Sequence, residues 1–446
     1  MMNMAKIVII GAGSYVFARG LITDLVLYPE PGLGDSTLAL VDIDKERLDL
    51  ITAFAKEIVK QNKSGIKVES SMDRREVLEG ADYVIISIRA GDWEPVQLNC
   101  KISEKYGVES SPDAMGTGGV FGGLRQVQAI LDICRDMEKL CPHALLMNYC
   151  NPMAIICWAV NDYTRIKCVG LCPNPRNLAE SLARYIGAPM DEITYWVAGL
   201  NHFSWYLEFK WRGVDAYPLL REKFKDPEVY MKPDYFGKGV EVSITEVEMM
   251  KNFGYFTTGG GHITMYTPYF RKRPELLEKY HLHNLLDGFI QAPQRTRAEG
   301  EELKQQIKSG YKFQTFRDHN YTIIAIDIIY AMEIGKPTRV FANVKNTGLI
   351  TNLPEGCCVE VPCLVDKEGV HPCYIGNLPA QCAALDRTNV GVQELAVRGI
   401  VEKDKTKIFQ AILLAPLTSA ILTIDETREM ADELFRVDKK FLKGYK

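Results

Sequence analysis

Two glycines, Gly11 and Gly13, follow directly on a short β-branched apolar run, Lys6–Ile10. Such a run is typical of a strand buried on both faces of a parallel sheet. The glycines let the backbone turn sharply and come close to a phosphate, where a Cβ atom would clash. A helical pattern begins near Tyr15, and the free amides at its N-terminus would bind a pyrophosphate. Gly11 and Gly13 are therefore candidate cofactor-binding residues.

An acidic residue, Asp42, ends a second apolar run at residues 38–41. A carboxylate at this strand end would accept hydrogen bonds from the adenosine ribose and repel a 2′-phosphate, which favours NAD over NADP. The acid lies further along the chain than the usual ~20 residues, and a loop at residues 29–32 explains the extra length. Strand, glycine turn, helix, strand and acid in this order predict a dinucleotide site. The alternative is a glycine turn in another type of α/β protein, with Asp42 as an ordinary strand-end acid.

Two amide side chains, Asn148 and Asn151, follow another apolar run at residues 145–149. An amide both donates and accepts hydrogen bonds, so the pair suits recognition of substrate hydroxyl groups. The alternative is an Asx turn before Pro152. Both interpretations stay open at this point.

A cysteine and a histidine, Cys172 and His202, each follow a short apolar run. Thiolate and imidazole at neighbouring strand ends would bind a borderline-soft divalent ion such as Mn²⁺ or Fe²⁺. A buried thiol and a hydrogen-bonded core histidine are the commoner alternative. The pair is thus a candidate metal site.

These residues can lie together only if the carboxyl ends of the strands before them meet at one edge of a parallel sheet. The chain has the strands and helices that such a sheet requires. The first half predicts further strands at residues 66–69, 81–87 and 167–171 and helices at 45–61 and 127–140. The second half predicts helices at residues 175–186, 285–309 and 406–420 and strands at 205–211, 338–343 and 359–362. The sequence therefore predicts an α/β fold with a Rossmann-type, doubly wound parallel sheet at residues 1–200. A C-terminal α+β domain at residues 201–446 would complete the substrate and metal sites and supply an oligomer face.

Composition excludes several classes of function. The chain has 446 residues and a formal net charge of -4, so no basic surface indicates binding to nucleic acid or to an anionic membrane. No apolar run approaches the ~20 residues that span a bilayer, and no signal peptide is evident. The 12 cysteines are scattered through apolar segments, which favours free thiols in a reducing cytoplasm over disulfides.

Taken together, the segments resemble glycoside hydrolase family 4, the NAD- and divalent-metal-dependent glycosidases. Within it they are most similar to the melibiase and α-galacturonidase branch, with the NAD-dependent sulfoquinovosidases as a related group. The resemblance covers nearly the whole chain in the right order. It rests on residues 11–14, 42–44, 113–119, 148–153, 170–172, 199–202, 266–268 and 352–361.

The resemblance implies a mechanism driven by cofactors. NAD⁺ bound at Gly11, Gly13 and Ser14, with Arg89 at the next strand end, removes hydride from C3 of the sugar and leaves a ketone. The ketone acidifies the C2 proton, and Mn²⁺ or another divalent ion on the C2 and C3 oxygens stabilises the enediolate. A base removes the proton, the aglycone leaves from C1, water adds and the hydride returns. No pair of catalytic carboxylates is required.

The resemblance also assigns roles to residues of this chain. Cys172 and His202 would be the metal ligands, Asn151 would contact the hydroxyls around C2 and C3, and Tyr266 would be the C2 base. A phenol with a pKa near ~10 needs a metal or cation nearby to act as a base at neutral pH. An aromatic residue before a turn is the alternative for Tyr266, and Tyr269 competes for the role.

One position departs from the family pattern. Pro173 follows the metal cysteine, where melibiase-like members carry histidine and 6-phospho-α-glucosidases carry a proposed aspartic acid. Proline has no proton to give. Asn174, one residue further on, would take the place of the missing acid, since the 6-phospho-β-glycosidases carry asparagine directly after the metal cysteine. Asp113 would lie near the metal or substrate, or else cap the glycine turn as a loop acid.

The favoured substrate is a non-phosphorylated hexoside, such as an α-galactoside or a hexuronide, because residues 148–153 match the non-phospho branch. An acidic C6 group would need donors, and the sequence offers Arg89, Arg125, His262 and Arg317. A surface helix is the alternative setting for Arg125. The melibiase branch also carries an Arg-Glu-Tyr-Ala segment before a late helix. This chain has no clear counterpart of that segment, and residues 317–319 are the most similar stretch.

Other functions stay open alongside this one. A sulfoquinovosidase or 6-phospho-glycosidase would use the same mechanism. A lactate/malate-type dehydrogenase, whose architecture the predicted fold is similar to, or a non-catalytic NAD-binding protein would not hydrolyse glycosides. The pair of Cys172 and His202 and the length of the chain argue against the dehydrogenase. By resemblance the protein would be a homodimer or homotetramer, with apolar residues 411–422 as one contact face.

Overall fold

Parallel strands organise the first part of the chain. The computed structural model describes residues 5–29, 32–231, 242–313 and 323–446. Its first elements are β1 (Lys6–Ile10), α1 (Phe17–Val26), β2 (Thr37–Val41), α2 (Lys45–Gln61), β3 (Lys67–Ser71), β4 (Tyr83–Ile86), α3 (Trp93–Lys105), α4 (Gly116–Leu140), β5 (Leu145–Asn148), α5 (Met153–Tyr163) and β6 (Cys168–Gly170). The strands pair in parallel in the order β3-β2-β1-β4-β5-β6. This is the strand order of dinucleotide-binding folds, and the predicted Rossmann-type sheet is confirmed.

The register of this sheet brings the candidate residues to one edge. Ile10, the last residue of β1, pairs with Val41 on one side and Ile86 on the other. Asn148 at the end of β5 pairs in turn with Ile86 and Gly170. The loops that follow these strands therefore leave the sheet side by side, in the crevice where α/β proteins bind their ligands.

Antiparallel strands continue the same sheet beyond β6. The later elements are α6 (Asn174–Tyr185), β7 (Ile193–Leu200), β8 (Phe203–Trp211), β9 (Val214–Asp215), α7 (Tyr217–Lys223), α8 (Pro227–Tyr230), α9 (Ile244–Phe253), α10 (Ile263–Tyr266), α11 (Pro274–Lys279), α12 (Leu285–Ser309), α13 (Ile323–Ile334), β10 (Thr338–Lys345), β11 (Cys358–Asp366), β12 (Gly369–Pro372), α14 (Ala380–Val401), α15 (Lys405–Leu414), α16 (Pro416–Ile421) and α17 (Ile424–Val437). The order runs on as β6-β10-β11-β7-β8-β9, with β12 paired to β11. The suggested division at residue 200 falls at the turn of the β7–β8 hairpin, and the two-domain division stays a prediction.

Two predicted helices have different bounds in the structure. The helix expected at residues 127–140 begins at Gly116, because its glycine-rich first turns pack against the preceding loop. A Cβ atom at Gly119 would lie only 1.8 Å from the carbonyl oxygen of Ala114. The helix expected at residues 406–420 is broken in two before Pro416, since proline lacks the amide that would continue it.

Buried apolar side chains fill both faces of the sheet, and the thiols lie among them. All 12 cysteines are free, and each except Cys373 is buried, as the sequence predicts. Within the described residues, no helix combines the length and the apolar character that crossing a membrane requires.

Candidate active site

One large cavity, about 2380 Å³ in volume, lies against the carboxyl edge of the parallel strands. Most of the residues singled out by sequence line it: Gly11, Gly13, Ser14, Asp42, Arg89, Asp113, Asn151, Cys172, Asn174, His202 and His262. Asn148 and Tyr266 are not part of its wall. Arg317 lies outside the described residues. The candidate dinucleotide and metal residues thus share one cavity.

The glycine turn after β1 has no room for side chains. Gly11 has a φ of 91°, and a Cβ atom there would lie 2.5 Å from the carbonyl oxygen of Ser87. A Cβ atom at Gly13 would lie 2.8 Å from Oδ2 of Asp42, the oxygen that accepts the Gly13 amide at 2.7 Å. The other oxygen of Asp42 accepts the amide of Asp44 at 2.9 Å. The acid at the end of β2 therefore fixes the turn.

Replacing Gly13 with alanine is expected to weaken NAD binding. The added methyl group would push the Asp42 carboxylate aside, and overpacking of this kind costs about 1–3 kcal/mol, or roughly a 10- to 100-fold rise in Kd. Isothermal titration with NAD measures the change. Gly34→Ala is the control, because a Cβ atom at Gly34 has nothing within 4 Å. Equal affinity in the two variants would contradict the prediction.

The loop after β4 presents Arg89 to the cavity. The guanidinium carbon of Arg89 lies 3.7 Å from the ring centroid of Trp93, a cation–π contact that orients the side chain. Gln126 fixes the loop backbone, since its Oε1 accepts the amide of Ala90 at 2.7 Å and its Nε2 donates to the carbonyl of Ile88 at 2.9 Å. The positively charged guanidinium of Arg89 is thus held in the cavity wall.

The two amides after β5 have different positions. Asn151 lines the cavity, and its Oδ1 accepts the amide of Met153 at 3.2 Å. Asn148 is buried, and its side chain bonds locally, with Nδ2 2.9 Å from the carbonyl oxygen of Cys150 and Oδ1 3.0 Å from the amide of Cys150. Asn148 therefore shapes the loop, and Asn151 is the amide of the pair that lines the cavity.

Cys172 and His202 lie in the cavity wall and are nearly buried, with 4% and 5% of their surface exposed. Burial and the neighbouring His262, whose ring stacks on His202 at 4.3 Å, hold the pKa of His202 well below its usual value. Its Nδ1 lies 3.2 Å from the carbonyl oxygen of Asp113. The ring is therefore neutral, and Nδ1–H donating to that carbonyl leaves Nε2 with its lone pair.

Burial also acts on the thiol of Cys172, raising its pKa, and the charge of Glu360 adds to this. The backbone amide of Asn174 and the side chain of Asn201 donate hydrogen bonds to the sulfur. Such donors stabilise a thiolate once it forms. Within the described residues, no group of three or more His, Cys, Asp or Glu side chains is arranged as a metal site.

Tyr266 is the last residue of α10 and stands outside the cavity wall. Its ring stacks on Phe203 at 5.5 Å and is 4% exposed. Burial raises the pKa of its phenol, and the nearby charges of Cys172, Glu360 and Asp113 raise it further. The competing Tyr269 is 38% exposed and, like Tyr266, is absent from the cavity wall.

Arg125 is buried, so the alternative that places it on a surface helix is wrong. It is buried in α4, where its Nη1 lies 2.7 Å from Oδ2 of Asp438 and also bonds Asn99. Although Arg125 lines the cavity, its charge is therefore engaged by a buried acid. Arg89 is the more available cation.

Sequence reasoning missed two acids near the site. Glu246 lines the cavity and closes a capping box with Ser243, and its Oε1 accepts the amide of Gly260 at 3.0 Å. The Ser-x-x-Glu spacing at residues 243–246 was a readable signal for it. Glu360 is fully buried in β11, and burial raises its pKa to about 7. The segment 352–361, on which the family resemblance partly rests, contains Glu360, but its apolar surroundings indicated no role for the acid.

Comparison with protein families gives matches over most of the chain. The model described as "Family 4 glycosyl hydrolase" matches residues 6–188. The model described as "Family 4 glycosyl hydrolase C-terminal domain" matches residues 197–418. Each half of the chain is therefore similar to the corresponding part of one family.

Individual relatives align over nearly their whole length. The chain is 35% identical to an alpha-galactosidase of Bacillus subtilis, covering 99% of this chain and 100% of that one. It is 34% identical to an alpha-galactosidase of Rhizobium meliloti, covering 99% and 89%. An alpha-galacturonidase of Thermoanaerobacter italicus is 27% identical, with 99% and 98% covered.

Solved structures share the fold. A 6-phospho-alpha-glucosidase from gut microorganisms, in complex with NAD and Mn²⁺, superposes with a TM-score of 0.83 at 22% identity and covers 100% of both chains. The malate dehydrogenase of Cryptosporidium parvum superposes with a TM-score of 0.50 at 13% identity, covering 90% of this chain and 100% of that one. The predicted likeness to the lactate/malate dehydrogenase architecture is confirmed at the level of the fold.

Proposed function

The chain belongs to family 4 of the glycosyl hydrolases, and from that premise we propose that it hydrolyses a non-phosphorylated α-galactoside with NAD and a divalent metal ion. The two alpha-galactosidase relatives support this choice of sugar, since both align along nearly the whole chain. The observation that carries the proposal is that one cavity is lined by the glycine turn with Asp42 and by Cys172 with His202. Hydride transfer and metal assistance at one sugar require both sites within reach of it.

The residues present fit NAD. Gly11 and Gly13 form a turn packed too closely against Ser87 and Asp42 to hold a Cβ atom, and both line the cavity, where bare backbone lets a pyrophosphate approach closely. Asp42 lies at the end of β2 in the cavity wall, where a carboxylate suits ribose hydroxyls and opposes a 2′-phosphate. Ser14 and Arg89 line the same cavity. The binding of NAD rather than NADP is the consequence.

The residues present also fit a divalent ion with an open coordination sphere. A neutral imidazole whose other nitrogen faces a backbone carbonyl is the usual form of a histidine ligand, and His202 has that form. Cys172 supplies the sulfur. Two protein ligands leave positions for substrate oxygens and water, and Mn²⁺ is our choice of ion because it accepts such oxygens.

When bound, NAD accepts and returns a hydride, and the divalent ion acts as a Lewis acid toward the sugar oxygens. We assign Tyr266 as the base for the C2 proton; its raised pKa keeps it a neutral phenol in the protein alone, and a bound cation lowers such a pKa. Asn151 orients substrate hydroxyls. Asp113 lines the cavity, and its backbone carbonyl faces His202, which places it near the metal or substrate; the amide of Asn174 can donate a hydrogen bond to the leaving oxygen but releases no proton.

A panel of p-nitrophenyl glycosides tests the function. We expect turnover of the α-galactoside that requires both NAD and Mn²⁺, and in D₂O we expect deuterium at C2 of the released sugar. Glucoside, glucuronide, galacturonide, sulfoquinovoside and 6-phosphate substrates in both anomers serve as comparisons. If the protein binds NAD but hydrolyses none of these substrates, the hydrolase proposal is overturned and a non-catalytic NAD-binding protein is favoured.

A hexuronide is the second candidate substrate. Arg89 and His262 both line the cavity, and the guanidinium of Arg89 can donate to a C6 carboxylate. The alpha-galacturonidase relative supports this alternative at lower identity. A ratio of kcat/KM that favours the α-galacturonide over the α-galactoside would select it.

We also propose that the protein is a cytoplasmic homodimer or homotetramer. Twelve free thiols suit a reducing compartment. Leu414, within the apolar segment 411–422, and Ile424, just after it, are 52% and 59% exposed, and we assign the subunit contact to this segment. Light scattering coupled to size exclusion measures the mass, and a 50.3 kDa particle would contradict the oligomer.

A further inference from the structure

The carboxylate of Glu360 bonds three polar side chains beside the proposed metal site. We infer that Glu360 is a positioning residue that holds Cys172 and His202 in one arrangement. The inference rests on the proposed function, because it gives Glu360 a role toward the two residues assigned as metal ligands. Glu360 itself is absent from the cavity wall and acts through Asn201, Ser204 and Asn343.

The first connection is to the turn that carries His202. Only Asn201 and His202 separate β7 from β8, and His202 has a φ of 60°, a left-handed conformation that a non-glycine residue adopts at a cost. The hydroxyl oxygen of Ser204 lies 2.5 Å from Oε2 of Glu360 and 2.7 Å from the carbonyl oxygen of Leu200, and Asn201 donates to Oε1 at 3.5 Å. The two oxygens of one carboxylate thus bind the chain on both sides of His202.

The second connection is to the segment that carries Cys172. Nδ2 of Asn343 lies 3.3 Å from Oε1 of Glu360 and 3.4 Å from the carbonyl oxygen of Gly170, two residues before Cys172. The side chain of Asn201 also donates to the sulfur of Cys172. Glu360 therefore joins the His202 turn to the end of β6 through two amide side chains.

Burying the charged form of this carboxylate costs free energy, and its hydrogen bonds offset only part of that cost. Burial raises the pKa of Glu360 to about 7, while the hydrogen bonds from Ser204, Asn201 and Asn343 lower it. Replacing buried polar groups by apolar ones is often neutral or stabilising, so stability alone does not call for an acid here. An acceptor with two oxygens that fixes three donors is what positioning requires.

Glu360→Gln tests the inference. Glutamine keeps the shape of the side chain but replaces one accepting oxygen by an NH₂ group, which would face the N–H and O–H donors of the neighbouring residues. Second-shell changes weaken metal binding about 10- to 100-fold, and we expect a rise of that size in the Kd for Co²⁺ with an altered thiolate-to-Co²⁺ charge-transfer absorption. The Kd for NAD should stay unchanged. Asp386→Asn is the matched control, since Asp386 is equally buried but accepts from Trp205.

Three outcomes decide the matter. Wild-type Co²⁺ affinity and absorption in Glu360→Gln would overturn the inference, as would an equal loss in Asp386→Asn. If Glu360→Gln does not fold, Ser204→Ala removes one of the three contacts and is expected to weaken Co²⁺ binding severalfold; no effect there would overturn the inference. Failure of the proposed function is seen separately, as the absence of turnover of every glycoside in the panel by wild-type protein that binds NAD.

Discussion

Replacing Cys172 with alanine is expected to lower kcat/KM for the α-galactoside by about 10³-fold, while the affinity for NAD stays the same. Lewis-acid stabilisation contributes several kcal/mol, and a loss of about 4 kcal/mol corresponds to about 10³ in rate. Cys172 and His202 are the two candidate ligands in the cavity wall, so the variant retains only an imidazole. Assays across a range of Mn²⁺ concentrations and a titration with NAD measure the two effects separately.

Cys134→Ala is the matched control, because Cys134 is a buried thiol on α4 outside the cavity wall. Its loss lowers the melting temperature through the small void it leaves, with kcat/KM near the wild-type value. Near-normal activity of Cys172→Ala at any Mn²⁺ concentration would contradict the assignment of Cys172. A large loss in both variants would attribute the effect to folding.

The parts of the fold that depend on local pattern could be predicted from the sequence. The helices expected at residues 45–61 and 285–309 have the same bounds as α2 and α12, because apolar periodicity and end signals agree there. The start of α4 was missed, since five glycines in its first turns predict a loop unless the close packing on residues 111–114 is known. The join between β6 and β10 depends on pairing across 173 residues, which no local pattern reveals.

The same limit applies to the site. Gly11, Gly13 and Asp42 could be found because one supersecondary motif contains them. Asn148 and Asn151 stand three residues apart with the same side chain, and only the path of the loop decides which one lines the cavity. Glu360 lies in the strand run of β11, and its contacts with Asn201 and Asn343 exist only after the sheet has formed.

Tyr266→Phe is expected to lower kcat for the α-galactoside by roughly 10²- to 10⁴-fold, the usual contribution of a general base. Phenylalanine keeps the ring that stacks on Phe203, so the fold and the affinities for NAD and metal should be preserved. Burial and the charges of Cys172, Glu360 and Asp113 raise the pKa of the phenol. Proton removal is therefore the step most sensitive to this oxygen, and the kinetic isotope effect with C2-deuterated substrate should increase.

The control is Tyr269→Phe, which removes the hydroxyl of the competing tyrosine. Tyr269 is 38% exposed and packs on Phe253 and Phe270, whereas the charges of Cys172 and Asp113 act on the buried Tyr266, so the Tyr269 variant should keep the wild-type kcat and isotope effect. A large loss in Tyr269→Phe with normal turnover in Tyr266→Phe would exchange the two roles. Loss of kcat in Tyr266→Phe without a larger isotope effect would mean that the hydroxyl positions the substrate, and that another group takes the C2 proton.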